Sequence, residues 1–126
     1  MQKRILLIED EPGVMEFVRT TLERNGYPVV CARSGVEGVR LLGGPGEFLG
    51  VVSDMATPGG INGAGVHAWI AQNRPELASR IVFITGDVAN EETVAILNKT
   101  GAPCVAKPFL VRQFIGVVES TMGKAL

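Results

Sequence analysis

The stretch Val51-Val52-Ser53-Asp54-Met55-Ala56-Thr57-Pro58-Gly59-Gly60 decides the fold. A short apolar run ends in an acid, and Pro/Gly turn chemistry follows at once. An apolar run of this length, with Val51 and Val52 in it, reads as a buried strand. In an open α/β sheet, ligands bind outside the carboxyl ends of the strands. Asp54 would then stand at the mouth of the sheet on a rigid support. The same acid also suits a plain turn initiator before Pro58-Gly59, so the other strand ends must separate the two readings.

Working outward, Lys3 to Ile8 is an apolar run that reads as a buried parallel strand and ends in Glu9-Asp10-Glu11-Pro12. Pro12 suits the first turn of a helix and the acids suit its positive end. That helix presents Val14, Phe17, Val18, Thr21 and Leu22 on one face and stops at Asn25-Gly26. Tyr27 to Ala32 holds a second strand. Ser34-Gly35-Val36-Glu37 has the form of a capping box and opens a helix to about Leu42. The third strand, Leu49 to Ser53, leads to Asp54 and a glycine-rich loop, Gly59 to Gly65. Val66 to Asn73 is the third helix, broken at Pro75.

Ile81 to Ile84 is the fourth strand, followed by Thr85-Gly86-Asp87. Asn90-Glu91-Glu92 caps a fourth helix with Val94, Ile96 and Leu97 as its apolar residues and Gly101 as its stop. Cys104 to Ala106 is a short fifth strand running into Lys107-Pro108-Phe109. Leu110 to about Met122 closes the chain with a stripe of Leu110, Phe114, Val117, Val118 and Met122. Strands that alternate with helices in this way predict an α/β fold, a parallel sheet covered on both faces.

Composition agrees with one globular domain. The 126 residues are 46% hydrophobic and 20% charged, with a net charge of −1. No basic surplus calls for a nucleic acid or a membrane surface. No apolar run approaches the ~20 residues of a spanning helix. Met1 to Ile5 reads as the approach to a strand and not as a signal peptide, so a cytoplasmic location is the expectation. Cys31 and Cys104 lack metal-ligand spacing and are expected to be buried free thiols. His67, alone in the chain, suits a surface or boundary position.

The residues that follow the strands carry the chemistry. They are Glu9 and Asp10, then Asp54, Thr85 and Lys107. In a parallel sheet all of them lie at one edge. Two carboxylates about 4 Å apart repel by roughly 4 kcal/mol at an effective dielectric near 20. A hard divalent cation relieves that repulsion, and an all-oxygen set without His or Cys suits Mg²⁺. A phosphoryl group on Asp54 would complete the shell, its remaining oxygens held by Lys107 and the Thr85 hydroxyl. Singly, each residue has a plainer use: acids at a helix N-terminus, a threonine in a turn, a solvated lysine. Their joint placement favours the site.

At these residues the chain resembles the receiver domain of two-component response regulators, over essentially its whole length. The motifs are Ile-Leu-Leu-Ile-Glu-Asp-Glu-Pro at 5–12, Val-Ser-Asp-Met-Ala-Thr-Pro-Gly-Gly at 52–60, Ile-Thr-Gly-Asp at 84–87 and Lys-Pro-Phe at 107–109. The resemblance implies a flavodoxin-like (βα)5 fold, a five-stranded parallel sheet of order 2-1-3-4-5. It implies a phosphoacceptor role for Asp54 and Mg²⁺ binding by Asp10, Glu9 and the Ala56 backbone carbonyl. Thr85 matches the switch hydroxyl, and Lys107 the lysine that pairs with the phosphoryl group. The Lys107-Pro108 bond is expected to be cis. The implied partner is a histidine kinase or histidine phosphotransfer protein. The implied activity is phosphorelay signalling by a receiver spanning 1–126, without an output domain after Met122, and not that of an enzyme.

Some positions depart from the commonest pattern. Cys104 replaces the frequent Tyr or Phe, so the usual threonine-aromatic coupling has no ring. Ala56 cannot position a hydrolytic water with its side chain. Asp87 occupies the other place that commonly tunes dephosphorylation. Thr57 stands where Met is frequent, and the Pro58 to Gly63 loop is one residue longer than the commonest form. The Pro58-Gly59-Gly60 form, followed by Thr85-Gly86-Asp87 and Lys107-Pro108-Phe109, looks like that of receivers attached to hybrid sensor histidine kinases. The rival readings are a pseudo-receiver interaction module, an aspartyl-phosphate hydrolase, which lacks its second acid because of Ala56, and a flavin binder, which lacks a Ser/Thr-rich phosphate cradle.

Overall fold

A computed structural model describes residues 3–56, 60–86 and 90–125. Thr57, Pro58, Gly59 and Asp87, which the sequence singles out, lie outside the described residues. The elements alternate as β1 (Arg4–Ile8), α1 (Pro12–Arg24), β2 (Val29–Ala32), α2 (Gly35–Leu42), β3 (Phe48–Asp54), α3 (Gly63–Asn73), β4 (Ile81–Thr85), α4 (Glu91–Thr100), β5 (Cys104–Ala106) and α5 (Val111–Met122). A single 3-10 turn, Pro75–Leu77, links α3 to β4. The strands form one parallel sheet of order 2-1-3-4-5, as the resemblance implies.

Period-two alternation sorts the strand side chains into two cores. Ile5, Leu7, Val52, Val82, Ile84 and Val105 face α1 and α5, meeting Val18, Leu22, Phe114 and Val118. Leu6, Ile8, Val51, Ile81 and Phe83 face the opposite layer, where Leu42, Val66 and Ile70 cover them. Burial on both faces explains why the strands read as continuous apolar runs.

The caps follow sequence chemistry with one variation. Ser34 Oγ accepts from Glu37 N at 3.1 Å, but Glu37 Oε2 accepts from Arg33 N, one residue before the cap. Asn90 Oδ1 accepts from Glu92 N and Thr93 N, and Gly101 ends α4 at a left-handed φ of 68°. The Lys107-Pro108 bond is cis.

Several expectations need correction. α3 begins at Gly63 and not at Val66, because Asn62 Oδ1 caps it by accepting from Gly65 N at 2.9 Å. Glycine at 63 lets this helix start against the end of β3: a Cβ there would meet Met55 Cα and Phe83 Cε1 at 3.0 Å. Leu110 is 75% exposed and outside the α5 stripe, because it precedes the helix on extended backbone. Ile115 takes its place with Phe114, Val118 and Met122. Phe17 and Val94 are exposed, and Thr93 is the buried side chain of α4. β1 begins at Arg4, β2 at Val29 and β3 at Phe48. Tyr27 is buried ahead of β2, its hydroxyl donating to Gly123 O at 2.7 Å. Cys31 and Cys104 are free and only half-buried.

Gly63→Ala is expected to destabilise the fold by about 1–3 kcal/mol through overpacking. Gly13→Ala, in open space inside α1, is expected to stabilise it by roughly 0.5–1 kcal/mol. Urea unfolding monitored by circular dichroism checks both.

Candidate functional site

The register of the sheet assembles the site. Ile8 pairs with Ser53, so Glu9 and Asp54 follow side by side. Asp54 pairs with Ile84, and Thr85 with Ala106, so Lys107 leaves the sheet next to Thr85. Lys107 N donates to Thr85 O at 2.7 Å, and Met55 N donates to Ile84 O at 2.9 Å, which extends the ladder past the strand ends.

One carboxylate oxygen from each of Glu9, Asp10 and Asp54 lies within 4.8 Å of the others. The Lys107 ammonium bridges two of them, 3.1 Å from Glu9 Oε2 and 3.3 Å from Asp54 Oδ2. Backbone amides hold the remaining oxygens: Glu11 N donates to Glu9 Oε1 and Ala56 N to Asp54 Oδ1, each at 3.2 Å. Glu9 is completely buried, and Asp54 and Thr85 nearly so. Glu9, grouped in the sequence with the acids of the α1 terminus, thus turns into the site, while Glu11 is the N-cap residue of α1.

Burial, then the nearby Asp54 charge, pushes the Glu9 carboxyl up to about 7. Burial opposes the charged form of Lys107, but the Glu9 hydrogen bond and the Asp54 and Glu9 charges outweigh it and raise its pKa. The all-oxygen donors and their uncompensated negative charge fit a hard divalent cation.

A cavity of about 380 Å³ adjoins Asp54, lined by Ala56, Asn62, Thr85, Asn90 and Glu92 among others. Asn62, Asn90 and Glu92 were not singled out for the site; two of them are legible only as helix caps. His67 is half-buried, its ring 6.3 Å from that of Phe83, away from the acidic cluster. Burial lowers its pKa.

Residues 5–119 match the response regulator receiver domain family. The chain belongs to that family. It is 29% identical over 125 residues to the phosphate regulon transcriptional regulatory protein PhoB of Escherichia coli (strain K12), covering 97% of this chain and 52% of PhoB. The chain thus spans about half the length of that curated relative. It is 24% identical to the polar-differentiation response regulator DivK of Brucella ovis, covering 99% of this chain and all of DivK. The receiver domain of sensor histidine kinase PA1611 from Pseudomonas aeruginosa PAO1 superposes with a TM-score of 0.85 at 21% identity, covering 98% of this chain and 100% of that one. A CheY-like receiver domain protein from Methanospirillum hungatei JF-1 gives 0.85 at 23% identity, covering 97% and 94%. Among the described residues, no helix is long and apolar enough to cross a membrane.

The raised Glu9 carboxyl sets a pH dependence. Its folded pKa of about 7 lies above the ordinary 4.5, so the folded state holds the proton longer. This stabilising contribution is complete below about 4.5 and is lost as pH rises through about 7. In chelator, stability is expected to fall by about 1–3 kcal/mol across that window. Glu9→Gln should flatten the fall, which thermal denaturation against pH measures.

Proposed function

We propose that this receiver domain accepts a phosphoryl group on Asp54 in a Mg²⁺-dependent transfer from a phosphohistidine of a histidine kinase or phosphotransfer protein. The observation that carries the reading is the Lys107 ammonium set between Glu9 and Asp54, inside a cluster of three carboxylates. Phosphoryl transfer needs positioning and charge neutralisation more than it needs covalent machinery beyond the nucleophile. Glu9, Asp10, Asp54 and the Ala56 carbonyl would hold the ion, which supplies positive charge to the transferring oxygens when bound.

The chain's own residues do the rest. The Ala56 amide holds Oδ1 of Asp54, while Lys107 holds Oδ2. In the transfer, an Asp54 oxygen forms the new bond to phosphorus while the bond to the histidine nitrogen breaks, and the imidazole leaves with the electron pair. Lys107, already 3.3 Å from Asp54, pairs with a phosphoryl oxygen. The Thr85 hydroxyl takes another. Near-complete ionisation of the phosphoryl group adds close to two negative charges. These draw on Thr85 and Lys107, at the ends of β4 and β5, and favour a second arrangement of the loops that follow them. The conformational change is the signal to a further partner. This role is that of a cytoplasmic phosphorelay component.

Incubation with acetyl phosphate and Mg²⁺ should add one phosphoryl mass to the intact protein. Asp54→Asn and omission of Mg²⁺ should each abolish the gain. An unmodified wild-type protein, or an equal gain in Asp54→Asn, overturns the assignment in favour of an interaction module that takes no phosphate.

A further inference from the structure

Asp54 belongs both to the acidic cluster, with Glu9, Asp10 and Lys107, and to the lining of the cavity, which none of those three lines. The cavity measures about 380 Å³, and a water's share of liquid volume is about 30 Å³, so it admits several waters up to Asp54. Ala56 brings only a methyl group to this wall. Asn62 and Asn90 also line it, but the Oδ1 of each is committed to capping a helix. The Glu92 carboxylate differs: among the described residues it has no hydrogen bond or ion pair, and it lines the same space from the first turn of α4.

We infer that Glu92 holds the water that hydrolyses the aspartyl phosphate and accepts a proton from it, supplying from α4 what Ala56 lacks. The inference rests on the phosphoacceptor reading of Asp54. In the step, the water oxygen bonds to phosphorus as the bond between phosphorus and the Asp54 oxygen breaks. The electron pair of that bond returns to the Asp54 carboxylate. The water's proton passes to Glu92 and then to the released phosphate, so both carboxylates end as they began.

The test follows phosphoryl decay by intact mass. Wild type, Glu92→Gln, Glu92→Asp and Glu91→Gln are phosphorylated with acetyl phosphate and Mg²⁺, then desalted into the same buffer without donor. Glu92→Gln is expected to lengthen the phosphoryl lifetime roughly tenfold, a small share of what general-base catalysis typically contributes. Glu92→Asp should recover part of the rate through its carboxylate. Glu91→Gln removes the same charge from the same helix turn outside the cavity lining, and should decay like wild type. Normal phosphorylation with wild-type decay in Glu92→Gln, or equal slowing in Glu91→Gln, overturns the role of Glu92 alone. A wild type that takes up no phosphoryl group overturns the Asp54 reading and this inference with it.

Discussion

Parallel pairing of β1 with β3 forces two acids together at the sheet's edge. Once Ile8 pairs with Ser53, Glu9 and Asp54 have no freedom to separate without shifting the register, and a one-residue slip would turn buried side chains to the wrong face. The cores on both faces therefore hold an electrostatically unfavourable pair in place. Lys107 offsets part of the repulsion, and its own position comes from the pairing of β5 with β4. The site is thus a by-product of hydrophobic registry, with its charges arranged by residues that never touch them.

Backbone amides share in this arrangement. Glu11 N and Ala56 N each take one oxygen of a site carboxylate, so the turns leaving β1 and β3 orient the acids they follow. The two-residue reach of these bonds leaves the second oxygen of each acid for Lys107. Among the described residues, no buried side-chain polar atom lacks a partner.

Much of this was legible in the sequence because it follows from local chemistry. Continuous apolar runs marked the strands, and the acid, hydroxyl and lysine at their ends marked one edge. What stayed hidden depended on tertiary packing. Gly63 reads as loop by propensity, yet a helix starts there because its missing Cβ lets α3 sit against Met55 and Phe83. Leu110 fits the apolar stripe by spacing, yet extended backbone places it outside the helical period. Nothing in the spacing of Asn90-Glu91-Glu92 tells which acid lines the cavity beside Asp54, since that depends on the rotation of α4 against the sheet.

The layer formed by α4 is held unlike the others. Thr93 is its buried side chain, Val94 points outward, and Ile96 and Leu97 are only partly covered. Its ends are well defined by the Asn90 cap and the left-handed Gly101, so the helix is locally stable but thinly attached. Elements with few buried apolar contacts open at lower free energy than the core strands do. The consequence is a hierarchy of amide protection, in which α4 exchanges its protons well before β1, β3 and β4. The strands that carry Glu9, Asp54 and Thr85 then persist as a rigid frame while one wall beside them gives way.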